Sequence, residues 1–372
     1  MSERGFRPEG IGSRIPLDIP ALLGPWSGEI AWPRDGAVAT ETGRAAIGWL
    51  VEALGMGPGD RALLPAYICD AAVDAFRVRG VATDFYRVGL DLRPDGSDAA
   101  ARVTGATRLL LVVHYFGFPV AREDLAAMPG APGLTRLEDW VQGPLSAGAW
   151  SGDWFGEYRV LSFHKIVGVP DSGLILRRPD APPPPRTPRL QPPRAAFFGR
   201  RLAAKALKGV AVAVAGGAPR PLYRPLFDAA ERAADGGVLA RMSDFSRRLI
   251  ERLPVRAIVE RRRANHRCLA DAIAGIAGVT RLLPDPPEGV CPLGLPIRVA
   301  RRDTVLAGLV SRRVYAAVHW RLPAGVDPAA YPEAARLAAE EITLPIDQRY
   351  GADEMHYVAR ALGDAMKDAG KE

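Results

Sequence analysis

The sequence predicts an α/β fold in two lobes. The large lobe has a mainly parallel sheet flanked by helices, and a smaller α/β lobe closes the chain. Three observations carry this. Short apolar runs alternate with stretches of helical periodicity. The run 109–113 is apolar throughout, as in a strand buried on both faces. At 372 residues the chain is long for a single core.

Residues 1–37, rich in Gly and Pro, read as an N-terminal arm. Thr40-Glu41-Thr42-Gly43-Arg44 then opens a helix whose apolar positions are Ala45, Ala46, Ile47, Leu50, Val51 and Leu54, with Thr42 as its N-cap. Free amides beside a Gly at a helix start suit a phosphate, and equally an ordinary capped helix. After the turn at 57–60, residues 61–65 form a strand, with Tyr67-Ile68-Cys69-Asp70 at its C-terminal end. Residues 81–86 alternate as a strand, and the strand 109–113 ends in His114-Tyr115-Phe116-Gly117. A His at a strand end has both a catalytic and a structural reading.

Two further short runs follow. Asp139 lies at the end of the first, with Gln142 just beyond, and Ser162-Phe163-His164-Lys165 ends the second. Ligands of alternating α/β chains sit where strands end, so the carboxylate and the amine are expected at one site. Chemistry that uses both includes Schiff-base catalysis on pyridoxal phosphate. Taken singly, a helix-capping Asp and a surface Lys are the commoner explanations.

Pro179, Pro182–Pro185, Pro188, Pro192 and Pro193 mark a stiff extended linker. The stretch 197–214 then reads as a helix with Arg200, Arg201, Lys205 and Lys208 on one side. Its apolar face is mostly Ala and Val, which favours a solvated flap over a membrane contact. The expected organisation is an arm at 1–37, a large domain at 38–250 carrying a basic Pro-rich insertion at 181–227, and a small domain at 251–372. In the small domain, helices are expected at 251–277, 302–312 and 352–368, and strands near 279–283, 294–299, 315–319 and 341–345.

Composition narrows the function classes. The net charge of +7 is concentrated: residues 181–227 hold nine bases and no acid. The rest of the chain is close to balanced, and no DNA-binding fold with stacking aromatics is visible, which argues against nucleic acid as a partner. No apolar run approaches the roughly 20 residues of a membrane span. The start, Met-Ser-Glu-Arg-Gly-Phe-Arg, does not read as a signal peptide. Cys69, Cys268 and Cys291 are scattered without metal-ligand spacing, so reduced thiols, a cytoplasmic location and no metal site are expected.

Glu138-Asp139-x-x-Gln142, followed by Ser162-Phe163-His164-Lys165 and a Gly-bearing turn, resembles the DegT/DnrJ/EryC1/StrS family of pyridoxal-phosphate aminotransferases of fold type I. The resemblance extends in order through Thr42-Gly43-Arg44, Leu64-Pro65-Ala66-Tyr67, His114-Tyr115-Phe116-Gly117, Arg241-Met242-Ser243-Asp244 and Leu344-Pro345-Ile346. It implies pyridoxal 5'-phosphate as cofactor, an amino donor such as glutamate and a keto-sugar or related ketone as acceptor. It also implies Lys165 and Asp139 as the catalytic pair, with Lys165 joined to the cofactor and Asp139 holding the ring nitrogen protonated. Gly43, Arg44 and Ser162 would take the phosphate, Gln142 the ring oxygen, and His114 a place nearby. Tyr67 or Tyr115 would cover the ring, since Cys69 stands where relatives carry the stacking aromatic. The family's Asn-Tyr-Arg-Met segment crosses to the partner subunit's cofactor, so a homodimer with shared sites is implied. Here Leu239 replaces the Asn, and Arg241 is the substitute contact. Other departures are the adjacent His164-Lys165 and Pro170-Asp171-Ser172-Gly173 in place of a Gly-rich turn. These leave two alternatives: a cofactor-binding regulatory protein, and an enzyme of another class such as a lyase.

Overall fold

The computed structural model describes residues 10–12, 15–17, 24, 27–30, 32–33, 35–214, 225–226, 228–229 and 237–371. Most of the expected arm, and Arg220 and Arg224 of the basic insertion, lie outside the described residues. In chain order the strands of the larger part are β1 (Ile11–Gly12), β2 (Ala37–Thr40), β3 (Arg61–Pro65), β4 (Ala82–Tyr86), β5 (Thr107–Val113), β6 (Thr135–Trp140), β7 (Tyr158–Leu161) and β8 (Gly173–Arg177). Helices α1 (Gly43–Ala53), α2 (Asp70–Arg77), α3 (Gly96–Arg102), α4 (Arg122–Ala127) and α5 (Ala195–Val214) are interleaved or follow.

Seven strands form one sheet in the order β2-β8-β7-β6-β5-β3-β4. The pairs from β7 through β4 are parallel, and β8 is antiparallel to both β2 and β7. The α/β expectation of a mainly parallel sheet therefore holds. Leu109, Leu110, Leu111 and Val112 are fully buried, as a continuous apolar run in a parallel strand requires.

The C-terminal part contains α6 (Asp244–Glu251), α7 (Val255–Ile273), β9 (Val279–Arg281), β10 (Leu295–Val299), α8 (Arg302–Ser311), β11 (Val314–Tyr315), α9 (Pro332–Glu340), β12 (Glu341–Leu344) and α10 (Ala352–Lys371). Its sheet is antiparallel, in the order β12-β10-β9. Three details differ from the sequence reading. The helix expected over 251–277 is α7, which starts only at Val255, because Pro254 has no backbone donor for a helix interior, and ends at Ile273. The strand expected near 315–319 is cut to β11, which pairs with β1 rather than with the C-terminal sheet. Helix α9 was not anticipated, although Pro332 sits in its first turn, where a missing N–H costs nothing.

The segment before α6 runs along the open edge of β2. Glu41 N donates to Ala240 O (3.0 Å), and Met242 N to Ala39 O (3.3 Å). The buried Asp171 carboxylate secures the corner, accepting from Ser243 N and Ser243 Oγ (2.7 Å each) and from Ser246 Oγ. Asp171 and Ser172, which depart from a Gly-rich turn, thus carry structural hydrogen bonds.

Candidate active site

Strand ends and a helix start meet at the C-terminal edge of the parallel sheet. Thr42 is extended (φ −146°), and its side chain accepts from Ala45 N at 3.0 Å, which caps α1. The first amides of a helix have no acceptor within it. Gly43 is buried against Val141 and Ser162, and a Cβ there would lie 3.2 Å from Val141 Cγ2. On β8, a Cβ at Gly173 would strike the Thr42 carbonyl, so only glycine lets that strand pass the helix start.

Period-2 alternation on β6 sends neighbouring carboxylates to opposite faces. Glu138 turns into the sheet's other side. There its Oε1 accepts from Phe155 N and Gly156 N (3.1 Å each) and Arg159 Nε (3.2 Å), and its Oε2 faces His114 Nε2 (3.1 Å). Burial acts to raise the Glu138 carboxyl, but hydrogen bonding from His114, the Arg159 charge and the Gly156 amide outweigh it and bring the value down to about 2. His114 is stacked on Trp140 at 3.8 Å, and its Nδ1 accepts from Val120 N at 3.0 Å. Burial keeps its imidazole below the usual value. His114 therefore braces the far face of the sheet and does not reach the site, contrary to the placement expected from sequence.

Asp139 turns the other way, into a cavity of about 230 Å³. Its Oδ1 accepts from Val141 N at 2.8 Å. Desolvation pushes the carboxyl up to about 6, against the opposing pull of the Val141 amide and the Lys165 charge. Lys165 lines the same cavity, its Nζ 5.9 Å from the Trp320 ring centroid. Gly43, Arg44, Cys69, Gln142 and Ser162 also line it. Gln142 Oε1 accepts from Phe116 N at 2.7 Å, which fixes the amide's orientation and leaves Nε2 buried without a partner among the described residues.

The turn that carries Lys165 (Phe163–Lys165) is pinned by one hydroxyl. Ser172 Oγ accepts from Phe163 N (3.1 Å) and His164 N (2.9 Å). Ser162 Oγ donates to Ser172 O at 2.6 Å, so its proton is engaged within the chain. Ser172→Ala is expected to cost about 1–2 kcal/mol, because two buried amides lose their acceptor. Urea unfolding checks this, and an unchanged midpoint would show that water replaces the hydroxyl.

Besides His114, two predicted residues stand outside the cavity wall. Tyr67 is buried, its ring 5.9 Å from Tyr115 and 5.1 Å from Trp320. Arg241 is exposed on the β2 edge, its amide bonded to Gln191 O (2.9 Å). The resemblance puts substrate contacts at His319-Trp320, and Trp320 lines the cavity. Arg201 also lines it, although α5 was read as a solvated flap. In fact Arg201, Lys205 and Lys208 are 3–4% exposed, so this basic face is turned inward.

Comparison with known proteins accords with this geometry. The model of the DegT/DnrJ/EryC1/StrS aminotransferase family matches residues 34–180. Residues 34–180 belong to that family. The family stretch contains Thr42 to Arg44, Asp139, Gln142 and Lys165, but neither Arg201 nor Trp320. A dTDP-4-dehydro-2,3,6-trideoxy-D-glucose 4-aminotransferase of Saccharopolyspora spinosa is 32% identical over 143 residues. GDP-perosamine synthase of Escherichia coli O157:H7 is 24% identical over 145. These alignments cover 37% and 38% of this chain, and 37% and 40% of those relatives. The apo form of the Streptococcus pneumoniae sugar aminotransferase Spr1654 superposes with a TM-score of 0.70 at 15% identity, covering 98% of this chain and 100% of that one. The DegT-type neighbours establish that the fold is that of the fold type I aminotransferases.

Proposed function

We propose that the protein is a pyridoxal-phosphate-dependent aminotransferase that moves an amino group, with glutamate as donor, onto a keto-sugar or related biosynthetic ketone. The observation that carries this is the Asp139 carboxyl and the Lys165 amine facing one cavity beside the start of α1. The residues fit the cofactor. A desolvated carboxyl with a raised pKa suits a protonated ring nitrogen, which would return it to its ionised form. The unpartnered Gln142 Nε2 suits the ring oxygen, and the Thr42–Arg44 helix start suits the phosphate. Spr1654 has been solved in PLP and PMP forms. Bound here, the cofactor supplies an electron sink for the carbon that gains or loses the amino group. Lys165 Nζ takes and returns the proton, and Trp320 shields that amine from water. We place the cofactor in a large domain at 38–250 and give 251–372 to a small domain. The test is borohydride reduction in the presence of the cofactor, followed by peptide mapping. The pyridoxyl group is expected on Lys165, and a label elsewhere, or none, would refute the assignment.

The working unit is a cytoplasmic homodimer whose sites borrow Arg241 from the partner subunit. Arg241 is exposed and does not line its own chain's cavity, as such a role requires. Its planar donors suit a phosphate. Mixing Lys165→Ala and Arg241→Ala chains and letting subunits exchange should give activity above either parent. Sedimentation of a fully active monomer would end the idea.

A further inference from the structure

The buried Arg262 of α7 has no part in the chemistry proposed above, yet it stands behind two of the residues assigned to it. It lines a second cavity of about 390 Å³, whose wall also includes Lys165 and Lys205. Each nitrogen of its guanidinium meets a neutral acceptor. Nε donates to Pro292 O (2.8 Å), Nη2 to Leu293 O (2.5 Å) and Nη1 to Gln348 Oε1 (2.8 Å). From these contacts, two chains of hydrogen bonds run towards the cavity that Asp139 faces.

The first chain passes through Gln348. A guanidinium only donates, so the amide must turn its oxygen to Arg262 and its nitrogen away. That nitrogen, Nε2, donates to Ile166 O at 3.0 Å, one residue beyond Lys165. The loop carrying Gln348 is itself fastened to α7, where Asn265 Nδ2 faces the carbonyls of Ile346 (3.2 Å), Asp347 (3.1 Å) and Tyr350 (3.0 Å). The second chain passes through Leu293, whose amide donates to Phe116 O at 2.9 Å. Phe116 N in turn donates to Gln142 Oε1 at 2.7 Å, the bond that orients the Gln142 amide. Phe116 has a left-handed backbone (φ 55°, ψ 19°), which is costly for a bulky residue and persists only where its surroundings fix it. Beside it, Gly117 (φ 88°) lies so close to Cys291 O that a Cβ would not fit. The strained turn is thus pressed between Gln142 and the segment that Arg262 grips.

We propose that Arg262 is a positioning residue, which sets the Lys165 turn through Gln348 and the Gln142 amide through Leu293 and Phe116. It acts on both from a helix of the C-terminal part, without a bond to either side chain. The choice of arginine follows from the geometry. A planar fork serves acceptors that lie in different directions, whereas the ammonium of a lysine is one point. The proposal rests on the aminotransferase reading for the uses of Lys165 and Gln142, and on the hydrogen bonds alone for the coupling. An arginine that only held the fold together would, when replaced, loosen the molecule as a whole. A positioning one loosens two segments more than the rest.

Hydrogen–deuterium exchange of the full chain without cofactor reads the coupling directly. Arg262→Lys keeps the charge and loses the fork. It should raise exchange about tenfold or more in peptides covering 115–118 and 163–167, and leave β5 as in wild type. Gln348→Glu cuts one chain only. Its carboxylate still accepts from Arg262, so the buried cation stays paired, but it has no N–H for Ile166 O. Exchange should rise at 163–167 alone, without a lower urea midpoint. This second variant keeps the proposal falsifiable where Arg262→Lys fails to fold. In turnover, both variants should lower kcat about tenfold or more while the KM of the amino donor changes less than about threefold, because a reacting group misplaced by about 1 Å can cost about 100-fold. Unchanged exchange at 115–118 and 163–167 in Arg262→Lys, or an equal rise in β5, overturns the proposal. So does wild-type exchange at 163–167 in Gln348→Glu. Borohydride labelling separates the two readings. Exchange that rises in both segments without a label on Lys165 refutes the aminotransferase alone, and a labelled Lys165 with wild-type exchange in both variants refutes the coupling alone.

Discussion

Lys165→Ala should reduce amino transfer at least about 1000-fold while leaving the chain folded. Removing a positioned base costs about 10²–10⁴ in rate. Here the same substitution also removes the residue assigned to carry the cofactor, which places the effect at or beyond the middle of that range. Among the described residues no other lysine lines the cavity of about 230 Å³, and Lys205 belongs to the neighbouring chamber. The fold should tolerate the change, because the turn at 163–165 is held by Ser172 Oγ through backbone amides and not by the Lys165 side chain. Single-turnover kinetics with the amino donor, alongside circular dichroism, give the measurement. Added small primary amines should restore part of the rate if the missing group is a base. A rate within tenfold of wild type would show that another group moves the proton.

The sequence made some of this site visible and hid the rest for physical reasons. Asp139 and Lys165 end short apolar runs, and in parallel sheets polar residues at such ends share one edge, so their meeting was foreseeable. Which face each neighbour takes was not. Glu138 and Asp139 are adjacent and alike, and only the strand's register shows that Glu138 pairs with His114 and Arg159 while Asp139 faces the cavity. His114 went astray for the same reason: the residue that positions it, Glu138, lies on the next strand and not beside it in sequence. Arg201, Lys205 and Lys208 were misread because a run of bases at helical spacing is usually a solvated face. What they face, the Lys165 chamber and the backbone at Ile15 and Pro170, comes from distant segments that no local pattern reveals. Trp320 was reachable only through the resemblance, which puts substrate contacts at His319-Trp320. Its ring meets Tyr67 and Lys165 across more than 150 residues of chain. The later start of α7 was, by contrast, written locally in Pro254, whose missing N–H suits a helix start and not its interior.

Asp139→Asn should separate the catalytic use of this carboxyl from its structural cost. With cofactor supplied, the half-reaction should slow by about 100-fold or more, since a neutral amide cannot hold the ring nitrogen protonated and each tenfold is about 1.4 kcal/mol. Without cofactor the same change should stabilise the fold. The Asp139 carboxyl is raised from 3.8 to about 6, so between those values the folded chain binds more protons than the unfolded one. Stability from this residue therefore falls as pH rises from about 4 to 6 and stays low above it. A rise of that size costs at most about 3 kcal/mol. The amide avoids that loss and still offers an oxygen to the Val141 amide. The stability difference between Asp139→Asn and wild type should thus be near zero at pH 4, grow through pH 6, and remain flat at pH 7–8. Saturating cofactor should reverse its sign, because it binds the native wild type more tightly and adds stability by mass action. Denaturant unfolding of both proteins at pH 4, 6 and 8, with and without pyridoxal phosphate, measures every arm. A difference that does not change with pH in the cofactor-free protein would mean that Asp139 stays ionised in the empty cavity, held by a cation other than the one assigned here.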